Sequence, residues 1–250
     1  DKTLQQIGHI ETVRNLPSTG DLEALLTSYG AADRIELFRS IARQARKGKD
    51  WWIGFEDAMP RDFDLYLGLE ASAMQIHSYA AVVVPGLLQT TAYAEAVIRG
   101  GDPTLTDEEV ARRVELRMAR QHVLDRKDPP HVWAVLDEAV LRRQIGGPDV
   151  SRQQLEHLVT LAQRPHIDLQ VLPAAAGAHA GAEGTFTWLA FPPELAGGGV
   201  VYLDTRVRCV YYEDPADILV YRNGMTRLQI QATTPANTPS ILDHAAKELT

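Results

Sequence analysis

Three strand-like segments, TFTWLAF (185–191), GVVYLDT (199–205) and RCVYYED (208–214), follow one another with connections of seven and two residues. A parallel pairing needs a crossover of about a dozen residues or more, so connections this short demand an antiparallel meander. Further upstream, MQIHSYAAVVVP, HVWAVL and IDLQVL also read as strands, but helical stretches separate them. That alternation leaves room for a mixed sheet. In IDLQVL, Ile167, Leu169 and Val171 alternate with Asp168 and Gln170, the pattern of a strand with one buried face. The fold class expected over residues 62–250 is therefore α+β, a mixed or antiparallel sheet with packed helices.

The helical stretches announce their own ends. Thr106 and Glu109 form a capping box ahead of Val110, Val114, Met118 and Leu124. Glu108 with Arg112 and Glu109 with Arg113 have the favourable i,i+4 order. Helices are also expected over about 62–73, from Leu87 to Arg99, from Pro148 to Gln163, and from about Pro215 and Pro239 onward. A turn of helix is expected in DEAVLRR, where Glu138 and Arg142 make a surface pair.

Residues 1–50 read as an all-α module of three short helices. The first carries the stripe Leu4, Ile7 and Ile10. The second opens on a Ser18–Asp21 capping box, with Leu22, Leu25, Leu26 and Tyr29 as its core face and Gly30 as its stop. The third starts near Asp33 and places Ile35, Phe38, Ile41, Ala42 and Ala45 inward. Residues 51–61, with Trp51, Trp52 and Pro60, read as a linker whose tryptophans pin it to the larger domain.

The formal net charge is −8, which argues against a surface that grips nucleic acid all over. Residues 1–50 hold eight Lys or Arg against seven Asp or Glu, a net +1, so the remainder carries −9. A DNA-facing front on an acidic body is compatible with that split. The lone Cys209 forms no internal disulfide and fits a reducing cytoplasm, the expected location. No apolar run approaches the ~20 residues of a membrane span.

Hydrolase, zinc-protease and P-loop signatures are missing from the sequence, and no catalytic residue, cofactor or metal is expected; the protein reads as a non-enzyme. His166 and Asp168 share a strand face as a polar pair. His179 lies in GAHAGAEG, a loop whose glycines permit close backbone approach to a ligand or simply give a surface loop. Trp133, Phe186, Trp188, Tyr202, Tyr211 and Tyr212 either line an aromatic pocket or fill the sheet's core. The ligand-binding candidates are Trp133, His179, Phe186, Trp188 and Tyr202.

Two stretches resemble known families. TLQQIGHIETVRNLPSTGDLEALLTSYG resembles the second half of an XRE-type helix-turn-helix through Ile10, Glu11, Pro17 and Ser18, departing from it at Gly8 and Val13. VVPGLLQTTAYAEAVI, ARRVELRMARQHVL, VLDEAVLRRQIGG, QLEHLVTLAQRPHIDLQVLPAAAGAHAG, GTFTWLAF and VVYLDT resemble, in order, the domain of unknown function that follows XRE modules in actinobacterial, Streptomyces WhiJ-type regulators. A complete module of that kind would place two more helices before Thr3.

The resemblance implies a DNA-binding transcription regulator, dimeric on paired half-sites, whose large domain senses a small-molecule effector or a small partner protein encoded nearby. The alternative is an antitoxin-like protein that sequesters such a partner and autoregulates its operon. On double-stranded DNA, Gln5 and Gln6 would read adenine edges, while Lys2, Thr3 and His9 would reach phosphate or base.

Overall fold

A computed structural model describes residues 3, 7–8, 18–32, 35, 39, 51–52, 54–60, 63–192 and 198–249. The chain divides into two compact units, Asp1–Trp51 and Trp52–Thr250.

In the first unit, α1 spans Thr19–Ser28. Ser18 caps it: its Oγ accepts from the Asp21 amide at 3.2 Å, and the Asp21 carboxylate accepts from the Ser18 amide at 3.0 Å. Gly30 follows at φ 73°, a left-handed conformation that suits glycine. Leu22, Leu25 and Leu26 are half-buried, but Tyr29 is 61% exposed and does not belong to the expected core face. The reason is local, because Tyr29 is already the helix C-cap with non-helical backbone. Ile35 is helical and half-buried, whereas Phe38, Ile41, Ala42 and Ala45 lie outside the described residues.

In the second unit, Trp52, Phe55 and Met59 pack with Ala58 against Leu67 and Leu116. These belong to α2 (Phe63–Ser72) and α4 (Asp107–Arg120), whereas α3 is Thr91–Gly101. Leu87 and Leu88, expected at the head of α3, lie instead in a separate 3-10 turn, Gly86–Leu88. Gln89 holds the break by donating to the Val84 carbonyl at 2.7 Å, and Thr90 caps α3. The Thr106–Glu109 capping box forms, with Glu109 accepting from the Thr106 amide at 2.8 Å. Arg112 pairs with Glu115 at 2.8 Å and Asp57 at 3.7 Å instead of Glu108, drawn across by the Phe55 ring beneath its guanidinium.

Six strands form one sheet: β1 (Gln75–Ala80), β2 (His131–Asp137), β3 (Ile167–Leu172), β4 (Phe186–Ala190), β5 (Val200–Asp204) and β6 (Cys209–Tyr212). Their order is β3-β2-β1-β4-β5-β6. β1, β2 and β3 run parallel, joined by α3 with α4 and then by α5 (Glu138–Arg142) with α6 (Pro148–Leu161). β4, β5 and β6 form the antiparallel meander that short connections require. Strand β1 sits at the junction, parallel to β2 and antiparallel to β4.

Helices cover both faces. One carries the larger core, where Leu155, Leu158 and Leu161 of α6 and Leu242 and Ala246 of α8 (Thr238–Glu248) meet Val132, Ala134, Leu169 and Leu189. On the other, α7 (Pro215–Gln231) lays Ile218, Met225 and Leu228 on Tyr79, Val135, Phe186 and Val201. Strand β3 is consequently buried on both sides from Leu169 to Leu172, against the single buried face expected. Gln170, read as solvent-facing, is buried because Trp133 Nε1 donates to its Oε1 at 2.7 Å and its Nε2 donates to the carbonyls of Gln229 and Thr233.

Candidate functional site

In an open sheet, ligands collect outside the carboxyl ends of parallel strands, where the strand order reverses. Here the order reverses beside β1, between β2 and β4, and the carboxyl ends of β1 and β2 are crossed by the 173–185 loop on its way from β3 to β4. Asp137 closes β2 and caps α5, its Oδ1 accepting from the Ala139 amide at 2.9 Å. Its Oδ2 accepts from the Tyr79 hydroxyl at 3.1 Å and lies 3.9 Å from His179 Nε2. Burial, reinforced by that carboxylate, holds the Tyr79 phenol well above its ordinary range, so it remains a donor.

Two contacts hold the loop over this pair. Glu138 accepts from the Ala174 amide at 2.8 Å, and the His179 ring meets Tyr79 edge-on at 5.7 Å. His179 Nδ1 accepts from the Gly181 amide at 3.2 Å, which leaves its proton on Nε2, directed towards Asp137. Gly181 itself rides on Tyr79: a Cβ there would stand 2.2 Å from the ring, so only glycine passes. With His179 and Asp137 side chains 17% and 23% exposed, a ligand donor or cation at Asp137 competes with His179. The arrangement is a clasp, in which Tyr79 bonds the Asp137 carboxylate and His179 stands just beyond hydrogen-bond reach of it, open at its rim.

Nearer the amino end of β1, the same face carries a row of rings. Cross-strand register sets His77 between Trp133 and Trp188. Ring centroids lie 4.6 Å apart for His77 and Trp188 and 6.3 Å for His77 and Trp133. The Arg222 guanidinium of α7 covers Trp188 at 5.0 Å. Burial first, then the neighbouring His131 and Arg222, push the His77 imidazole down to about 4. It stays neutral, donating through Nε2 to Gln75 Oε1 at 3.1 Å while its buried Nδ1 has no partner.

Of the five ligand-binding candidates, Trp133, His179, Phe186 and Trp188 share this face. Tyr202 does not. It pairs with Thr187, which points opposite to Phe186 and Trp188, and so joins the larger core beside Tyr66 at 4.1 Å and Tyr211 at 5.4 Å. A strand reverses its side chain at each residue, so aromatics in neighbouring strands share a face only when the register allows it. Asp168 likewise partners His131 at 3.1 Å, not His166, whose Nε2 is buried without a partner. Glu138 and Arg142 pair as expected, Nε to Oε1 at 3.0 Å.

Tyr79, Asp137, His77 and Arg222 were not legible as site residues. Asp137 had one signal, a carboxylate between a strand and a helical turn, but that signal reports a cap. Among the DNA-facing candidates, Thr3 is exposed, and Lys2, Gln5, Gln6 and His9 lie outside the described residues. Among the described residues, no helix is long and apolar enough to cross a membrane.

Neither the curated proteins nor the solved structures contain a match to this chain. The profile of a domain of unknown function, DUF5753, matches residues 63–244, which take in the whole sheet, the clasp and the ring row. On that match, covering most of its length, the chain belongs to the DUF5753 family.

Proposed function

We propose that this chain is a DNA-binding transcription regulator of the XRE helix-turn-helix class whose DUF5753 unit receives the regulating signal at the Tyr79–Asp137–His179 clasp. The observation carrying the sensing half is the shared Asp137 carboxylate, 3.1 Å from Tyr79 and 3.9 Å from His179 beneath a glycine-bearing loop. A small effector with a donor or cationic group displaces His179, frees the 173–185 loop, and couples occupancy to conformation through differential affinity for the two loop positions. The DNA-binding half is supported by the Ile10-Glu11 and Pro17-Ser18 pattern and by the net +1 of residues 1–50 ahead of an acidic body.

Gel shifts of the full-length protein on its own upstream DNA, over a range of salt, test the reading. Specific recognition gives discrimination over random DNA and a linear fall of log affinity with log salt. Replacing Gln5 and Gln6 by Ala lowers operator binding more than nonspecific binding, by roughly 1–3 kcal/mol for each lost base contact. Equal loss on both DNAs removes them from readout, and no preference for any genomic sequence ends the regulator reading.

One observation favours the second reading, an antitoxin-like protein holding a small partner. Leu219, Val220 and Ile230 of α7 are 52%, 68% and 77% exposed. Stoichiometric recovery of one small protein with the intact chain, lost in Val220→Asp, is the result that reading requires.

A further inference from the structure

Helix α4 carries Arg113, Arg117 and Arg120 four and three residues apart, the spacing of one helix side. Only the last is neutralised. Arg120 donates through Nε and Nη2 to both oxygens of buried Glu70, at 3.0 and 2.7 Å. One turn earlier, Arg117 finds a neutral acceptor, the Gln89 Oε1 at 3.0 Å, and that amide is itself tied to the Val84 carbonyl. Among the described residues, no carboxylate oxygen lies within 4 Å of Arg113, Arg117 or Arg206.

The surroundings are those of a cation held partly out of water. Burial first, then Arg120, lower the Arg117 proton affinity to about 10, and Asp204 at the end of β5 opposes them. The Asp204 carboxyl is itself raised by burial, against the pull of Arg117 and Arg120. Arg113 and Arg206 both pull the Asp102 carboxyl down, which puts the two guanidiniums within electrostatic reach of one carboxylate. Four guanidiniums (Arg113, Arg117, Arg120, Arg206) thus meet four carboxylates (Glu70, Asp102, Glu109, Asp204), a local balance of zero inside a unit that carries −9 overall. Arg117 has five N–H donors and one acceptor, so donors remain for an oxyanion.

We infer that Arg113 and Arg117, with Arg206 at the rim, form a binding site for a small dianion bearing carboxylate or phosphate groups, on the Tyr202 side of the sheet and separate from the clasp. It sits where the β1 carboxyl-end segment 84–90 meets α4, next to the junction of β1 and β4. Its occupant supplies the acceptors Arg117 lacks. The site stands independently of the DNA-binding reading.

Calorimetric titration of the intact chain with inorganic phosphate and, separately, with succinate tests it, sodium chloride keeping ionic strength constant. Saturable binding of either probe is expected, weakened at least tenfold in Arg117→Gln and in Arg113→Gln and unchanged in Arg227→Gln on α7. The stronger probe tells a phosphoryl ligand from a dicarboxylate. Arg113→Gln, which removes no ion pair, answers the question should Arg117→Gln fail to fold. Saturation by neither probe overturns the site. So does equal affinity in wild type and Arg113→Gln, or an equal loss in Arg227→Gln.

Discussion

The two faces of the sheet are built to different standards. Under α6 and α8, the face holding Val132, Ala134, Leu169 and Leu189 is a deep core, and its buried carboxylate, Glu70, is closely matched by Arg120. Under α7 and the 173–185 loop, the opposite face keeps polar groups that are less fully matched: a buried, neutral His77 among rings, and a partly exposed Asp137 carboxylate that Tyr79 bonds and His179 approaches. A face covered by several helices over-determines its side chains. One covered by a single helix and a loop leaves groups whose balance a ligand or a proton can tip, because low-stability elements are the ones that open first.

The comparison breaks most directly at Glu70. Glu70→Ala leaves Arg120 buried without its carboxylate, and a loss of about 3–5 kcal/mol in urea unfolding is expected. A loss below ~1 kcal/mol would mean that this face relaxes as readily as the other. Next comes acidification, which acts on the opposite face. With the folded His77 at about 4 and the unfolded imidazole near ~6.5, the unfolded state binds the extra proton between those values. Stability from this group is therefore full above about pH 6.5 and falls as pH drops towards 4, by roughly 3 kcal/mol in all. Denaturation curves at pH 7 and pH 4.5 should diverge less in His77→Phe; an unchanged divergence assigns the slope elsewhere.

The smallest effect sharpens the contrast. Gly181→Ala forces a methyl to within 2.2 Å of the Tyr79 ring, so the loop must lift. A cost of about 1–3 kcal/mol is expected, together with faster proteolysis between 177 and 184. Global destabilisation without faster cleavage there would show that the loop and the α7 core move as one.

Much of the local structure was readable from residues alone. Ser18 with Asp21 and Thr106 with Glu109 cap their helices as their three-residue spacing requires. The meander followed from connections too short for any other pairing. The clasp was half visible: His179 stood out in a glycine-rich loop, but Asp137 and Tyr79 are 58 residues apart and nothing local joins them. Arg112 likewise followed Phe55 and Asp57 rather than its helical neighbour Glu108.

What the sequence determined by itself is whatever depends on neighbours a few residues away: where helices start, which stretches alternate, which connections are too short to cross over. Tertiary structure alone decided that β4 pairs with β1 instead of β3, and with it that Tyr202 faces away from Trp188 while His77 lands between two tryptophans. The physical reason is the two-residue pleat. Strand order and register assign each side chain to a face, and both are set by burial summed over the whole sheet, not by any local preference.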